Sequence, residues 1–322
     1  MVDDLRELPK ANLHLHLTGG MRQATLEELA AVHGLTVPAP LPMGEAQLWE
    51  AFQERYDARR AVVRSAEVIH RIITESIDDN LADGCTWVEI QLDPTSYAPL
   101  LGGYDPVVEV ALDAMEGKPC GLIIASSWAK PGEHATMLAR LATRYTKVVG
   151  FGLSNDERRG RIDDFVEACR IATDAGLMSV PHGGFYEDAW HVRACVDALR
   201  ANRIGHGITA MRDPETLGHL AEHQVALEVC PTSYPPLGVA SYESLPIREV
   251  LGAGVPVALA SDDPLLFGAN VTGQYRIARE MIGLSDKKLA AIAKHSITAS
   301  AAPGDIKRKT LAAIEAWCAT IP

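Results

Sequence analysis

The sequence predicts a (β/α)8 barrel with a small helical cap insertion and extra C-terminal helices. Three observations predict it. Short apolar runs alternate with longer amphipathic stretches, the pattern of βα units joined into a parallel sheet. The chain has 322 residues, a length that barrels reach as one unit. No Ser/Gly linker, charge block or low-complexity tract divides it, so residues 1–322 read as a single domain.

Taken in order, the candidate strands are Asn12–Leu17, Thr86–Leu92, Gly121–Ala125, Val148–Gly152, Met178–His182, Arg203–His206, Ala226–Cys230 and Val255–Ala260. Helical stretches between them include Thr25–His33, Ala61–Ala82, His134–Arg144, Ile162–Ala175, Trp190–Ala201, Pro214–His223 and Leu245–Ala253. Several stop at a glycine (Gly34, Gly84, Gly176, Gly254), the residue that most easily adopts the left-handed turn closing a helix. The run Pro38–Arg60, rich in Pro, Trp and Phe, is too long for a tight βα turn and is expected to form a helical cap near the barrel mouth. The tail Ser285–Pro322 reads as further helices packed outside.

Composition narrows the function. With 47% hydrophobic residues the chain can bury a large core. Its formal charge of −12 lacks the basic footprint that phosphate backbones require, which disfavours nucleic acid as a partner. The N-terminus shows no basic segment followed by an apolar stretch, and no apolar run is long enough to span a bilayer. Six scattered cysteines with no CxxC pair read as reduced, mostly buried thiols. A cytoplasmic protein that meets a small-molecule substrate and no membrane is the expectation. Oligomeric state is not legible.

The polar residues that carry chemistry collect at strand ends. His14 and His16 lie two apart, so strand alternation turns both the same way while Leu13, Leu15 and Leu17 turn toward the helix layer. Two inward histidines are costly unless hydrogen-bonded or bound to something. His182 closes the fifth candidate strand, His206 the sixth, and Asp262 and Asp263 follow the eighth. Active sites of such barrels lie at the C-terminal ends of the strands. Imidazoles and carboxylates converging there make a site for a borderline-soft divalent ion such as zinc. By contrast, His33, His70, His134, His191, His219 and His223 sit in helical or loop stretches and read as surface or packing residues, and Glu89 as a satisfied structural carboxylate. There is no phosphate loop and no nucleophile elbow.

These motifs resemble the adenosine deaminase family of the amidohydrolase superfamily. The matching runs are Leu8-Pro-Lys-Ala-Asn-Leu-His-Leu-His-Leu-Thr-Gly19, Val148-Val-Gly-Phe151, His182-Gly-Gly184, Arg203-Ile-Gly-His-Gly207, Cys230-Pro-Thr-Ser233 and Ser261-Asp-Asp-Pro264 with Phe267. The resemblance implies one zinc ion per chain, ligated by His14, His16, His182 and Asp262, which generates hydroxide from a bound water. It implies that His206 orients that water and assists proton removal, and that Asp263 accepts a hydrogen bond from the substrate ring. Asp262, as ligand, can also shuttle the proton.

The pocket departs from the family pattern. Where the family places a glutamate that protonates the substrate ring, this chain has Phe185, after Gly184. Other expected polar groups are replaced by Thr18, Trp128, Gly152 and Tyr234. Thr18, Trp128, Gly152, Gly184, Phe185, Tyr234 and Asp263 are therefore the candidate substrate-side positions. General acid–base groups are worth about 10²–10⁴ in rate, so the expectation is a zinc-dependent hydrolase of C–N bonds with a more aromatic pocket and a substrate other than adenosine. Two alternatives stay open: aminopurine deamination with the acid supplied by Glu187 or Tyr186, and a ligand-binding homologue without turnover.

Overall fold

The computed structural model describes residues 4–41 and 46–321. Its frame is one eight-stranded parallel sheet whose strands follow sequence order: β1 (Lys10–Asn12), β2 (Cys85–Leu92), β3 (Cys120–Ser127), β4 (Val148–Ser154), β5 (Met178–Gly183), β6 (Arg203–His206), β7 (Ala226–Val229) and β8 (Val257–Leu259). Sequence order with parallel pairing at every step is what right-handed βα units give when they close into a ring. The first and last strands meet just beyond their ends, where Leu15 bridges Asp262, His16 N–H donates to Asp262 O (3.1 Å) and Asp262 N–H donates to His14 O (2.9 Å).

The first strand departs from the predicted Asn12–Leu17. Regular pairing ends at Asn12, and the histidine segment continues as isolated bridges that are shared between Asp262 on one side and Gln91 on the other. At Leu17 the chain already turns, with Gly20 N–H donating to His16 O (2.9 Å). Leu13 and Leu15 are buried as expected, and Leu15 reaches the space between Gly20 and Ser76 of a surrounding helix. Leu17 instead lines the central cavity, because alternation no longer governs a residue in a turn.

The predicted helix Ala61–Ala82 begins later, at Ala66, and Ser65 caps it by accepting from Val68 N–H. The helix Trp49–Arg60 is the expected cap; residues 42–45 of that insertion lie outside the described residues. The tail forms Asp286–Ala299 and Gly304–Cys318, with Pro322 outside the described residues. All six cysteines are free thiols, four of them buried. Among the described residues no helix is long and apolar enough to cross a membrane.

Along β2 the alternation sorts roles. Val88, Ile90 and Leu92 are fully buried, while Trp87, Glu89 and Gln91 share the other face, where Trp87 Nε1–H donates to Glu89 Oε1 (2.9 Å). Polar residues on that face bring the chemistry inside the barrel.

Candidate metal centre and its cavity

Four imidazoles gather at the C-terminal mouth of the barrel. Ring centroids of His14 lie 5.0 Å from His16, 4.6 Å from His182 and 4.8 Å from His206. His14 Nε2 and His16 Nε2 stand 3.5 and 3.4 Å from Asp262 Oδ1. The ligand-capable atoms of His14, His16 and His182, of His14, His206 and Asp262, and of His16, Asp262 and Asp263 fall within 4.8 Å of one another in each group. His14 Nε2 and His182 Nε2 are buried without a hydrogen-bond partner. Two unpaired ring nitrogens facing a carboxylate across a space of this size suit a tetrahedral N/O-bound cation.

The backbone supports the gathering. Gly205 pairs with His182, and a Cβ there would stand 2.8 Å from His182 Cδ2 and 2.9 Å from His14 Cε1, so only glycine leaves both rings in place. Gly19 does the same for Asp263, whose Oδ1 would lie 1.8 Å from an added Cβ. His206 (φ 69°), Asp262 (φ 58°) and Asn155 (φ 75°) adopt left-handed backbone, and all three line the cavity. Such conformations cost about 1–3 kcal/mol each away from glycine and concentrate at functional sites.

A buried charge relay holds His14. Its Nδ1 lies 2.7 Å from Glu228 Oε2; Arg203 Nε–H donates to Glu228 Oε1, and Arg203 Nη2–H donates to Glu89 Oε2. Ala301 N–H (2.7 Å) completes Glu89, and Arg203 Nη1–H reaches Ala299 O (2.9 Å). All four side chains are fully buried. A carboxylate on Nδ1 fixes the ring's orientation and leaves Nε2 as the lone-pair side toward the centre. Glu228 and Arg203 were not predicted as functional residues; the signal was present as charges inside the otherwise apolar strands Arg-Ile-Gly-His and Ala-Leu-Glu-Val.

Electrostatics differ sharply between neighbours. Burial disfavours charge on His14, yet the Asp262 and Glu228 carboxylates outweigh it and push His14 up to about 10. Burial, helped by the His14 charge, takes His16 down to about 4 and His182 well below its ordinary value. Burial also takes His206 down to about 3, so its ring is a neutral base. For Asp262 burial is overridden by the hydrogen bond and charge of His14, which hold it well below the carboxylate range; burial beside Asp262 pushes Asp263 well above it. Ser233 Oγ–H donates to Asp262 Oδ2 (2.6 Å).

Of the predicted substrate-side residues, Phe185 and Asp263 line the cavity, the Phe185 ring 4.7 Å from that of His206. Thr18, Trp128, Gly152, Gly184 and Tyr234 are not among the residues that line it. Trp128 is fully buried between Phe165 (4.8 Å) and His191 (5.2 Å), and its Nε1–H donates to His182 O (3.1 Å), so it braces a strand end. Tyr234 stands behind Phe185, its hydroxyl accepting from Cys230 N–H (2.8 Å). Thr18 Oγ1 is 2.8 Å from Tyr97 OH, and it is Tyr97 that reaches the cavity. Gly184 faces Val192 and Thr209, and Gly152 faces Val180 O and Gln91 Oε1.

The remaining wall was not singled out in the sequence. The cap helix contributes Trp49, Phe52, Gln53, Tyr56 and Arg60 from one face, and Phe52 stacks on Phe267 at 5.4 Å. Glu157 enters from below Phe185, its Oε1 accepting from the backbone N–H groups of Phe185 (2.7 Å), Tyr186 (2.6 Å) and Glu187 (3.2 Å). Tyr186 and Glu187 themselves are not among the cavity-lining residues: Tyr186 lies under Arg158 (4.0 Å), and Glu187 O accepts from Thr209.

The sequence pattern of the family described as adenosine deaminase matches residues 9–317. A Streptomyces coelicolor protein named "Putative adenosine/adenine deaminase" is 48% identical, with 98% of each chain covered. An aminodeoxyfutalosine deaminase of the same species is 34% identical over 91% of this chain and 80% of its own. Among solved structures, an adenine deaminase from Arthrobacter aurescens has a TM-score of 0.87 at 25% identity, covering 97% of this chain and 99% of that one.

Proposed function

Because the chain belongs to the adenosine deaminase family, hydrolases that act on C–N bonds, we infer that it releases ammonia from a heterocyclic amine other than adenosine. His14, His16, His182 and Asp262 would hold one zinc ion. The fit rests on the unpaired Nε2 atoms of His14 and His182, the glycine cradle at Gly205 and the histidine-plus-carboxylate donor set. When bound, such an ion supplies Lewis acidity and acidifies a water toward neutral pH.

The chain's own residues do the rest. His206 is neutral and faces the same centre, so it can orient the attacking water and take its proton. Asp263, whose carboxyl is pushed up by burial beside Asp262, presents Oδ1 without a partner to the substrate ring. The aromatic side chains Trp49, Phe52, Tyr56, Phe185 and Phe267 in the wall would limit the access of water to the reacting atoms.

The observation that carries the substrate reading is the Phe185 ring against His206 (4.7 Å), at the position where the family resemblance implies a carboxyl that protonates the ring nitrogen. A phenyl group donates no proton and leaves a polar purine edge unpaired. Adenosine turnover is therefore expected about 10²-fold or more below that of an enzyme equipped with this acid.

One observation favours a second reading. Glu157 lies in the cavity wall beside Phe185, and burial pushes its carboxyl up despite three backbone N–H donors. It, rather than Tyr186 or Glu187, is placed to supply a displaced proton for aminopurine deamination. Following adenosine and adenine absorbance with zinc-loaded wild type, Phe185→Glu, Glu157→Gln and Glu187→Gln separates the two. Slow wild-type turnover with gain in Phe185→Glu supports the first; fast turnover lost only in Glu157→Gln replaces it with the second.

A further inference from the structure

Gln91 is a buried polar side chain of the cavity that the mechanism above leaves without work. It sits on β2, is 2% exposed, and lines the cavity beside the metal centre. Neither Nε2 nor Oε1 has a hydrogen-bond partner among the described residues. Its backbone is held from both directions: Gln91 N–H donates to Leu15 O (2.8 Å) and Gln91 O accepts from Leu17 N–H (3.1 Å), in the bridge that fixes His16. The side chain points to the face that carries Trp87 and Glu89 and ends over Gly152, where an added Cβ would come within 3.5 Å of Oε1. Glycine at 152 and alanine at 125 leave the carboxamide room and offer it no side-chain partner.

A buried amide with both ends unmatched costs roughly 1–3 kcal/mol, and an apolar residue of the same length would avoid that cost. A carboxamide places one donor beside one acceptor, which matches an acceptor beside a donor on a ring. Heterocyclic amines carry that pair as ring nitrogen and exocyclic amine, and their deaminated products carry it as lactam carbonyl and N–H; glutamine pairs with adenine in this two-point way. We propose that Gln91 is a specificity-determining residue whose carboxamide selects substrates by a two-point donor–acceptor edge. This rests on the reading of the site as a heterocyclic-amine hydrolase.

The test is calorimetric binding, which does not depend on turnover. The probes are isoquinolin-1(2H)-one, which has the lactam pair on an aromatic body, and its N-methyl derivative, in which a methyl group replaces the donor hydrogen; the Gln91 variants separate loss of the donor from added bulk. Zinc-loaded wild type is expected to bind the lactam at least tenfold more tightly than the N-methyl compound. Gln91→Met, close in volume, should reduce that ratio below threefold while zinc stoichiometry stays unchanged. Gln91→Glu, which keeps the acceptor and loses the donor, gives the same readout if the methionine variant does not fold. An undiminished ratio in these variants, or no lactam binding by wild type at millimolar concentration, overturns the proposal. Absence of ammonia release from every heterocyclic amine, with the binding ratio and its loss intact, would remove the deaminase reading and leave the Gln91 contact standing.

Discussion

Replacing Gly205 with alanine perturbs the metal centre without altering any proposed ligand. The added Cβ would stand 2.8 Å from His182 Cδ2 and 2.9 Å from His14 Cε1, whereas ordinary contact begins at 3.4 Å. About half an ångström must therefore open at each ring, the limit that a preorganised site tolerates. His14 has little freedom to retreat: it is fully buried, and Glu228 holds its Nδ1 at 2.7 Å. The displacement must therefore fall mainly on His182, whose Nε2 is one of the proposed ligand atoms. We expect zinc affinity to fall about 10–100-fold, the range seen when supporting groups around a metal are disturbed. Overpacking should also lower the stability of the metal-free protein by about 1–3 kcal/mol. Competition with a chromophoric chelator gives the affinity, and denaturant unfolding of the metal-free protein separates the two effects. A zinc dissociation constant within twofold of wild type would refute the placement of His14 and His182 around a common ion.

Glu228→Gln keeps an acceptor for His14 and removes half of the charge opposite Arg203; it should cost about 3–5 kcal/mol of stability and weaken zinc about tenfold, and an unchanged unfolding curve would count against the relay. Trp128→Phe removes the hydrogen bond to His182 O and is expected to cost about 0.5–1.5 kcal/mol while KM stays put; a large KM change would return Trp128 to the substrate. Glu157 titrates above the ordinary glutamate range when folded, so between those two values the native chain binds more protons than the unfolded one and stability falls as pH rises. Glu157→Gln should flatten that falling limb in unfolding midpoints measured across the window, and an unaltered slope would show that another group causes it.

The sequence made the barrel legible because its strands are short apolar runs with imidazoles and carboxylates at their ends, and that alternation holds wherever pairing is regular. It fails at Leu17, where turn geometry replaces the strand period. The aromatic replacements at 128 and 234 were visible as changes, but their side was not: whether an indole fills the cavity or the layer behind it depends on Phe165 and His191, remote in sequence. Arg203, Glu228 and Glu89 announce themselves as charges in apolar strands, yet only folding shows that they form one chain of contacts ending at His14. Gln91 and Glu157 follow the same rule in reverse, ordinary polar residues whose meaning comes from the wall they share.

The most direct test of the account is a zinc titration of metal-free protein read as ammonia release from a panel of heterocyclic amines. Activity should rise linearly and saturate at one zinc per chain, on at least one amine other than adenosine, and His16→Ala should bind less zinc and release little ammonia. Ammonia release that is independent of zinc, or zinc bound at one per chain with no ammonia from any amine, would contradict it.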